Sequence, residues 1–225
     1  MLTITEGLFS WKVWLIIILF SIPIGLLLWP LFFPTVLSFP WPDTKHPSTK
    51  NKIVILAGSF NPPHLGHYEM IKYLAHRHAK VICVVGCNPQ KKYDVSPDER
   101  ANLVRKMMSK YNVEVQVVTT YIWRYGKSRQ CRILYRGIRS WEKDGKEEQA
   151  LHIQNTWGPL VLGRTWPIPT IYLEGRPEYN YISSTLIRNL LNPGSKRDTS
   201  VNCQSEISKM VPENIVDETI ELYSR

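Results

Sequence analysis

The sequence predicts an α/β domain with a parallel sheet covered by helices on both faces, preceded by one transmembrane helix. Two observations carry this prediction. Strand-like and helix-like segments alternate from residue 52 onward, and a long uncharged apolar run precedes them. Alternation of this kind is typical of a parallel sheet in a Rossmann-like architecture. Ligands of such sheets bind beyond the carboxyl ends of the strands.

Short apolar runs bounded by turn residues predict the strands, and longer mixed runs predict the helices. The clearest helix start is Ser96-Pro97-Asp98-Glu99, which combines an N-cap serine, a first-turn proline and a capping-box glutamate. The predicted strands are 52–57, 81–86, 113–118, 133–135 and 170–173, and the predicted helices are 66–76, 97–110 and 142–155.

The N-terminal run carries no charged residue from Val13 to Pro42. About 20 apolar residues suffice to span a bilayer as a helix, so residues 13–33 are predicted to do so. Tryptophans near the ends, Trp41 among them, would act as interfacial anchors, and the lysines that follow favour a cytoplasmic C-terminal side. A cleaved signal peptide is the alternative. The predicted organisation is a membrane region over 1–33, a Pro/Ser/Thr-rich linker over 34–50 and the α/β domain over 51–225.

The composition limits the classes of partner that are expected to bind. The net charge of +9 is dispersed along the chain, and no nucleic-acid-reading motif accompanies it, so no nucleic-acid partner is expected. A polyphosphate ligand or an anionic membrane face would also suit the charge. The four cysteines show no disulfide framework and no paired zinc spacing, which favours a reducing compartment.

The most informative stretch is residues 58–67, Gly-Ser-Phe-Asn-Pro-Pro-His-Leu-Gly-His. It joins an apolar strand to the start of a helix, where free N–H groups and the positive end of the helix dipole favour anions. An imidazole there can donate a hydrogen bond to a phosphate oxygen. A plain tight turn is the alternative interpretation. The candidate phosphate-binding residues are Gly58, Ser59, Phe60, His64, Gly66 and His67.

Further candidate residues follow later strands. Lys91 lies in Asn-Pro-Gln-Lys-Lys after the second strand, and Gly137 lies between Arg136 and Arg139 after the fourth. Each cluster alone could be an ordinary surface turn. Glu147 could accept hydrogen bonds from a sugar or an amine, although most helical glutamates are simply exposed. Residues 181–185 form a possible helix N-cap and second phosphate site: Tyr181, Ile182, Ser183, Ser184 and Thr185.

The order of these clusters resembles the phosphopantetheine adenylyltransferases, of the HxGH nucleotidyltransferase superfamily, from about residue 52 to 225. The resemblance implies ATP and 4'-phosphopantetheine as substrates and coenzyme A biosynthesis as the role. It implies His67, Lys91 and Arg136 as catalytic residues. The acceptor would be bound by Ser59, Lys91, Ile122 and Arg136. Gly137, Arg139, Glu147 and residues 179–185 would join the phosphate loop in binding the nucleotide. Mg²⁺ would arrive with the nucleotide, and no metal ligand of the protein is expected.

Two departures keep alternatives open. His64 and Asn61 are instead similar to the nicotinate-mononucleotide adenylyltransferases, and residues 156–169 form an insertion that could reshape the site or an oligomer contact. The alternatives are transfer of an adenylyl or cytidylyl group to another phosphate acceptor, such as nicotinate or nicotinamide mononucleotide, and a membrane-tethered nucleotide-binding module without catalysis. A homo-oligomer is possible.

Overall fold

Six parallel strands form one sheet in the order β1-β6-β5-β2-β3-β4. Their bounds are β1 Thr35–Leu37, β2 Ile53–Gly58, β3 Lys80–Gly86, β4 Val113–Val118, β5 Ile133–Ile138 and β6 Thr170–Glu174. The computed structural model describes residues 15–19, 21, 24–25, 33–42, 52–87, 94–191 and 201–225. The predicted parallel α/β sheet is confirmed, and the five predicted strands match β2 to β6 within three residues at each end.

The strands are buried on both faces, so consecutive residues of β2 belong to different cores. Val54 and Leu56 belong to the larger core, and Ile55 and Ala57 to the smaller core on the opposite face. Helices cover both cores. Their bounds are α1 Leu65–Arg77, α2 Pro97–Met107, α3 Ile122–Ser128, α4 Trp141–Gly163, α5 Ser184–Leu191, α6 Val201–Ser208 and α7 Val216–Tyr223, with single 3₁₀ turns at Pro177–Tyr179 and Glu213–Ile215.

The predicted single-pass membrane localisation is wrong, and the predicted transmembrane helix over residues 13–33 lies mostly outside the described residues. Among the residues that the structure describes, no helix is long and apolar enough to cross a bilayer. Of this stretch the structure describes residues 15–19, 21 and 24–25, which are helical, and residue 33, which is not; the rest lies outside the described residues. Trp41, predicted as an interfacial anchor, is buried in the larger core.

Residues 35–42, within the stretch interpreted as a linker, pack onto the sheet and α1. Residues 35–37 form the edge strand β1, which pairs with β6, and Trp41 packs against the ring of Tyr73 on α1. Residues 43–51 lie outside the described residues. Burial of a large aromatic ring offsets the entropy of ordering this segment.

The insertion over residues 156–169 begins within α4 and packs beside α3. Residues 156–163 extend α4, and Gly158 and Gly163 leave room for the indole of Trp123 on α3. A Cβ at Gly163 would lie 2.8 Å from that ring. The predicted end of this helix at residue 155 is therefore eight residues too early, since the helix ends at Gly163.

Candidate active site

The phosphate loop joins β2 to α1 at the carboxyl edge of the sheet. Phe60 adopts a left-handed backbone with φ of 47°, which is uncommon for a bulky residue and indicates local strain. Its ring is buried and lies 5.0 Å from the ring of His67, centre to centre. A Cβ at Gly58 would lie 3.1 Å from the Phe60 ring, so the turn favours glycine there.

Side chains from three other elements hold the carbonyl groups of this loop. The fully buried Arg100 of α2 donates to the carbonyl oxygen of Ser59. From α5, Arg188 donates to the carbonyl oxygen of Asn61, and Ser184 Oγ donates to that of Pro62 at 2.8 Å. The hydroxyl of Tyr223 on α7 donates to Asn61 Oδ1 at 2.7 Å. These bonds fix the loop in advance, as electrostatic preorganisation requires.

His64 and His67 lie together at the start of α1, with ring centres 3.8 Å apart. The backbone N–H of His64 donates to Nδ1 of His67 at 3.3 Å. Burial lowers the pKa of His67 to about 4. Burial also lowers the pKa of His64, and the nearby His67 and Arg139 lower it further. His67 is therefore neutral at pH 7, with Nδ1 as an acceptor and its proton on Nε2, free to act as a donor.

A pocket of about 480 Å³ opens beside this pair. Its size suits a nucleotide-sized ligand. Gly137 lets the pocket wall approach α1, because a Cβ there would lie 2.6 Å from Sδ of Met70. The pocket is lined by His64, Gly66, His67 and Met70, by Gly137, Ile138, Arg139 and Asp144, and by Gly175, Tyr179, Asn180 and residues 182–185.

Arg139 is fixed at the pocket wall by Asp144 on α4. Its backbone N–H donates to Asp144 Oδ2 at 2.7 Å, and its guanidinium pairs with the same carboxylate. A cation so held lies where a phosphate or sugar oxygen could reach it. Ser183 accepts from the N–H of Leu186 at 3.1 Å, as the predicted N-cap of α5.

Arg136 does not line the pocket. Its guanidinium donates to both carboxylate oxygens of Glu148, at 2.9 and 2.6 Å, and to the carbonyl oxygen of Ala57 at 3.0 Å. This mostly buried pair ties β5 to β2 and α4. Glu147, the predicted nucleotide ligand, is exposed and outside the pocket, so Glu148 is the glutamate of this helix that the fold brings inward.

The remaining predicted residues are distributed as follows. Tyr181 is exposed and outside the pocket lining, whereas residues 182–185 line it. Ser59 lies exposed at the loop, and Ile122 packs against the smaller core. Lys91 lies outside the described residues. Sequence reasoning missed Met70, Asp144 and Gly175 in the pocket lining.

The chain is similar to known proteins in sequence and in fold. The cytidylyltransferase-like family model matches residues 55–190. A phosphopantetheine adenylyltransferase of Picosynechococcus sp. is 30% identical over 173 residues, covering 76% of this chain and 87% of its own length. One from Clostridium perfringens is 29% identical over 174 residues, covering 77% and 96%. In fold, the chain is similar to the Plasmodium falciparum nicotinic acid mononucleotide adenylyltransferase complexed with NaAD, with a TM-score of 0.52, 18% identity, and coverage of 77% and 97%.

The parallel sheet, the preorganised phosphate loop and the adjoining pocket together define a nucleotidyltransferase fold. The chain belongs to the cytidylyltransferase-like family and, within it, to the phosphopantetheine adenylyltransferases. The resemblance seen in the sequence is thereby confirmed.

Proposed function

We propose that this chain transfers the adenylyl group of ATP to 4'-phosphopantetheine, producing dephospho-CoA and pyrophosphate in coenzyme A biosynthesis. Relatives named phosphopantetheine adenylyltransferase match most of the chain, and they support both the enzyme class and the acceptor. The structural observation that carries the proposal is the neutral His67, held at the helix start between the phosphate loop and the 480 Å³ pocket.

In this proposal the triphosphate and the nucleoside of ATP occupy different parts of the pocket. The triphosphate would lie at the phosphate loop and the N-terminus of α1, where the helix dipole and first-turn N–H groups favour anions. Ser183 and Thr185, at the start of α5, also line the pocket and offer further donors. The nucleoside would lie between Gly137 and Tyr179, which also line the pocket.

The chemistry needs no covalent intermediate. An oxygen of the acceptor's phosphate dianion bonds to the α-phosphorus of ATP while the bond to the pyrophosphate oxygen breaks. Catalysis then consists of alignment and of stabilising charge on the phosphoryl oxygens. His67 donates its Nε2 proton in a hydrogen bond to such an oxygen. Mg²⁺ would enter with ATP as part of the substrate.

Arg136 has a supporting role in this proposal. Its charge is matched by Glu148 and its third contact is to the backbone of β2, so it holds the strand that carries the phosphate loop. Lys91 remains the proposed cation at the acceptor side.

The test is an assay of pyrophosphate release by the full chain with ATP and 4'-phosphopantetheine. In parallel reactions nicotinate mononucleotide or nicotinamide mononucleotide replaces the acceptor, and CTP replaces ATP. The phosphopantetheine reaction is expected to dominate. His67→Ala is expected to lower kcat about 10²–10³-fold, the usual effect of removing a transition-state donor.

His76→Ala is the matched control, because His76 is exposed in the last turn of the same helix. Wild-type turnover by His67→Ala would overturn the mechanism. Faster turnover with a mononucleotide acceptor would overturn the choice of substrate, and nucleotide binding without turnover on any acceptor would indicate a binding module.

A further inference from the structure

We propose that Trp41 is a positioning residue for the nucleotide pocket, acting from a segment that precedes the residues matched by the family model. The segment, residues 35–42, is named here the N-terminal strap. The proposal rests on the proposed use of the pocket for ATP.

The strap reaches the pocket because β1 runs parallel to β6. Leu37 pairs with Leu173, so residues 38–42 continue past the carboxyl edge of the sheet, beside the end of β6. The next residues along the chain are Glu174, the last residue of β6, and Gly175, which lines the pocket. The strap therefore lies directly behind one wall of the pocket.

Trp41 makes the decisive contact. Its indole N–H donates to the carbonyl oxygen of Glu174 at 2.9 Å. The ring is only 8% exposed and packs on Tyr73, with 4.9 Å between ring centres. A buried indole held on one side by α1 gives this hydrogen bond a fixed direction, so the peptide between Glu174 and Gly175 is held in place.

The same peptide region is held from the other side. The N–H of Gly175 donates to the carbonyl oxygen of Ile138 at 2.8 Å, and Ile138 also lines the pocket. The Glu174 carboxylate accepts from the N–H of Trp141 at 3.0 Å, at the start of the helix that carries Asp144. Thus the strap, β6, β5 and α4 meet at Glu174, and Trp41 contributes a side-chain hydrogen bond from the strap.

A second contact reaches the wall through Arg176. Its guanidinium lies over the ring of Phe39, 5.3 Å from the centre, and Phe39 meets Trp41 edge-on at 5.6 Å. Arg176 also pairs with Glu69 of α1 at 3.7 Å. Leu173, before Glu174, pairs with the strap, and Arg176, after Gly175, contacts it through Phe39. The strap therefore contacts this part of the pocket wall at more than one residue.

The test compares full-length Trp41→Phe, which keeps an aromatic ring and loses the donor, with wild type. The dissociation constant of ATP by calorimetry and the KM for ATP are each expected to rise about fivefold, on the scale of one neutral hydrogen bond. Because the proposed function places the reacting phosphates at the phosphate loop and not at Gly175, kcat and the KM for phosphopantetheine are expected to stay near wild type. Trp166→Phe, at a tryptophan that is 61% exposed, is the control.

Phe39→Leu is the second variant, since it disturbs Arg176 without removing the Trp41 donor. A smaller rise in the dissociation constant and the KM for ATP is expected. If Trp41→Phe does not fold, this variant tests the role of the strap instead. A lower Tm with unchanged ATP affinity would show that the strap only stabilises the fold, and would overturn the proposal. If wild type binds ATP but does not adenylylate phosphopantetheine, the proposed function fails while the affinity comparison still tests Trp41. If wild type binds no ATP, both fail.

Discussion

The hydroxyl of Tyr223 donates to Oδ1 of Asn61 at 2.7 Å, and this bond joins the last helix to the phosphate loop. Both residues are buried, and the backbone carbonyl of Asn61 is held separately by Arg188. The C-terminal helix thus contributes to the shape of a loop encoded 162 positions earlier. Loop geometry depends on the completed fold.

Tyr223→Phe is therefore expected to lower both stability and activity. The variant leaves Asn61 Oδ1 buried without its donor, which costs about 1–2 kcal/mol of unfolding free energy. Urea unfolding and kcat/KM for ATP are the measurements. Tyr125→Phe is the matched control, because the buried hydroxyl of Tyr125 has no hydrogen-bond partner among the described residues. Equal unfolding free energies for the two variants would contradict the role given to the Asn61 bond.

His67 is expected to remain neutral through the whole physiological range. Burial lowers its pKa to about 4, whereas an unfolded histidine titrates near about 6.5. Above pH ~6.5 neither state binds the proton, and between about 6.5 and 4 only the unfolded chain does. The neutral buried imidazole therefore contributes stability that is fully present above pH ~6.5 and lost as the pH falls towards 4.

Two measurements check this. In a nuclear magnetic resonance titration of the free protein, the His67 ring is expected to keep its chemical shifts from pH 8 to 5. In urea unfolding, the advantage of wild type over His67→Gln is expected to be constant above pH 7 and to shrink towards pH 4.5, by at most about 1.4 kcal/mol per pH unit. A midpoint near 6.5 for His67 would show that its ring is solvated rather than buried.

Local patterns were sufficient for much of the sheet and for some helix ends. Ser96 caps α2, and Glu99 completes the capping box, because both contacts lie within four residues. The loop from Gly58 to His67 was identified for the same reason. The buried strands of a parallel sheet read as continuous apolar runs, and β2 to β6 show this pattern.

Contacts across the fold were not predictable in this way. Trp41 follows an apolar run, which is also the pattern of a membrane anchor, and its partner Glu174 lies 133 positions away. The choice between Glu147 and Glu148 depends on the rotation of α4, since adjacent helical residues point about 100° apart. Only the packed position of α4 selects Glu148.

Glu148→Gln is expected to be more damaging than Glu147→Gln. The first removes the charge that matches Arg136, whereas Glu147 is exposed. The side chains of Arg136 and Glu148 are 20% and 11% exposed, so the loss should be about 2 kcal/mol, less than for a fully buried pair. Urea unfolding and kcat/KM measure it. If Glu147→Gln raised the KM for ATP more than Glu148→Gln does, Glu147 would be the residue that contacts the nucleotide.

Gly137→Ala is expected to raise the KM for ATP through a steric contact that a second substitution can remove. The new Cβ would lie 2.6 Å from Sδ of Met70, and both residues line the pocket. Overpacking costs about 1–3 kcal/mol, which corresponds to a rise of about fivefold or more if it falls on nucleotide binding. Combining Gly137→Ala with Met70→Ala should restore most of the ATP affinity, measured by calorimetry on the two single variants and the double variant. If the double variant bound ATP no better than Gly137→Ala, glycine would be required for a reason other than the approach of Met70.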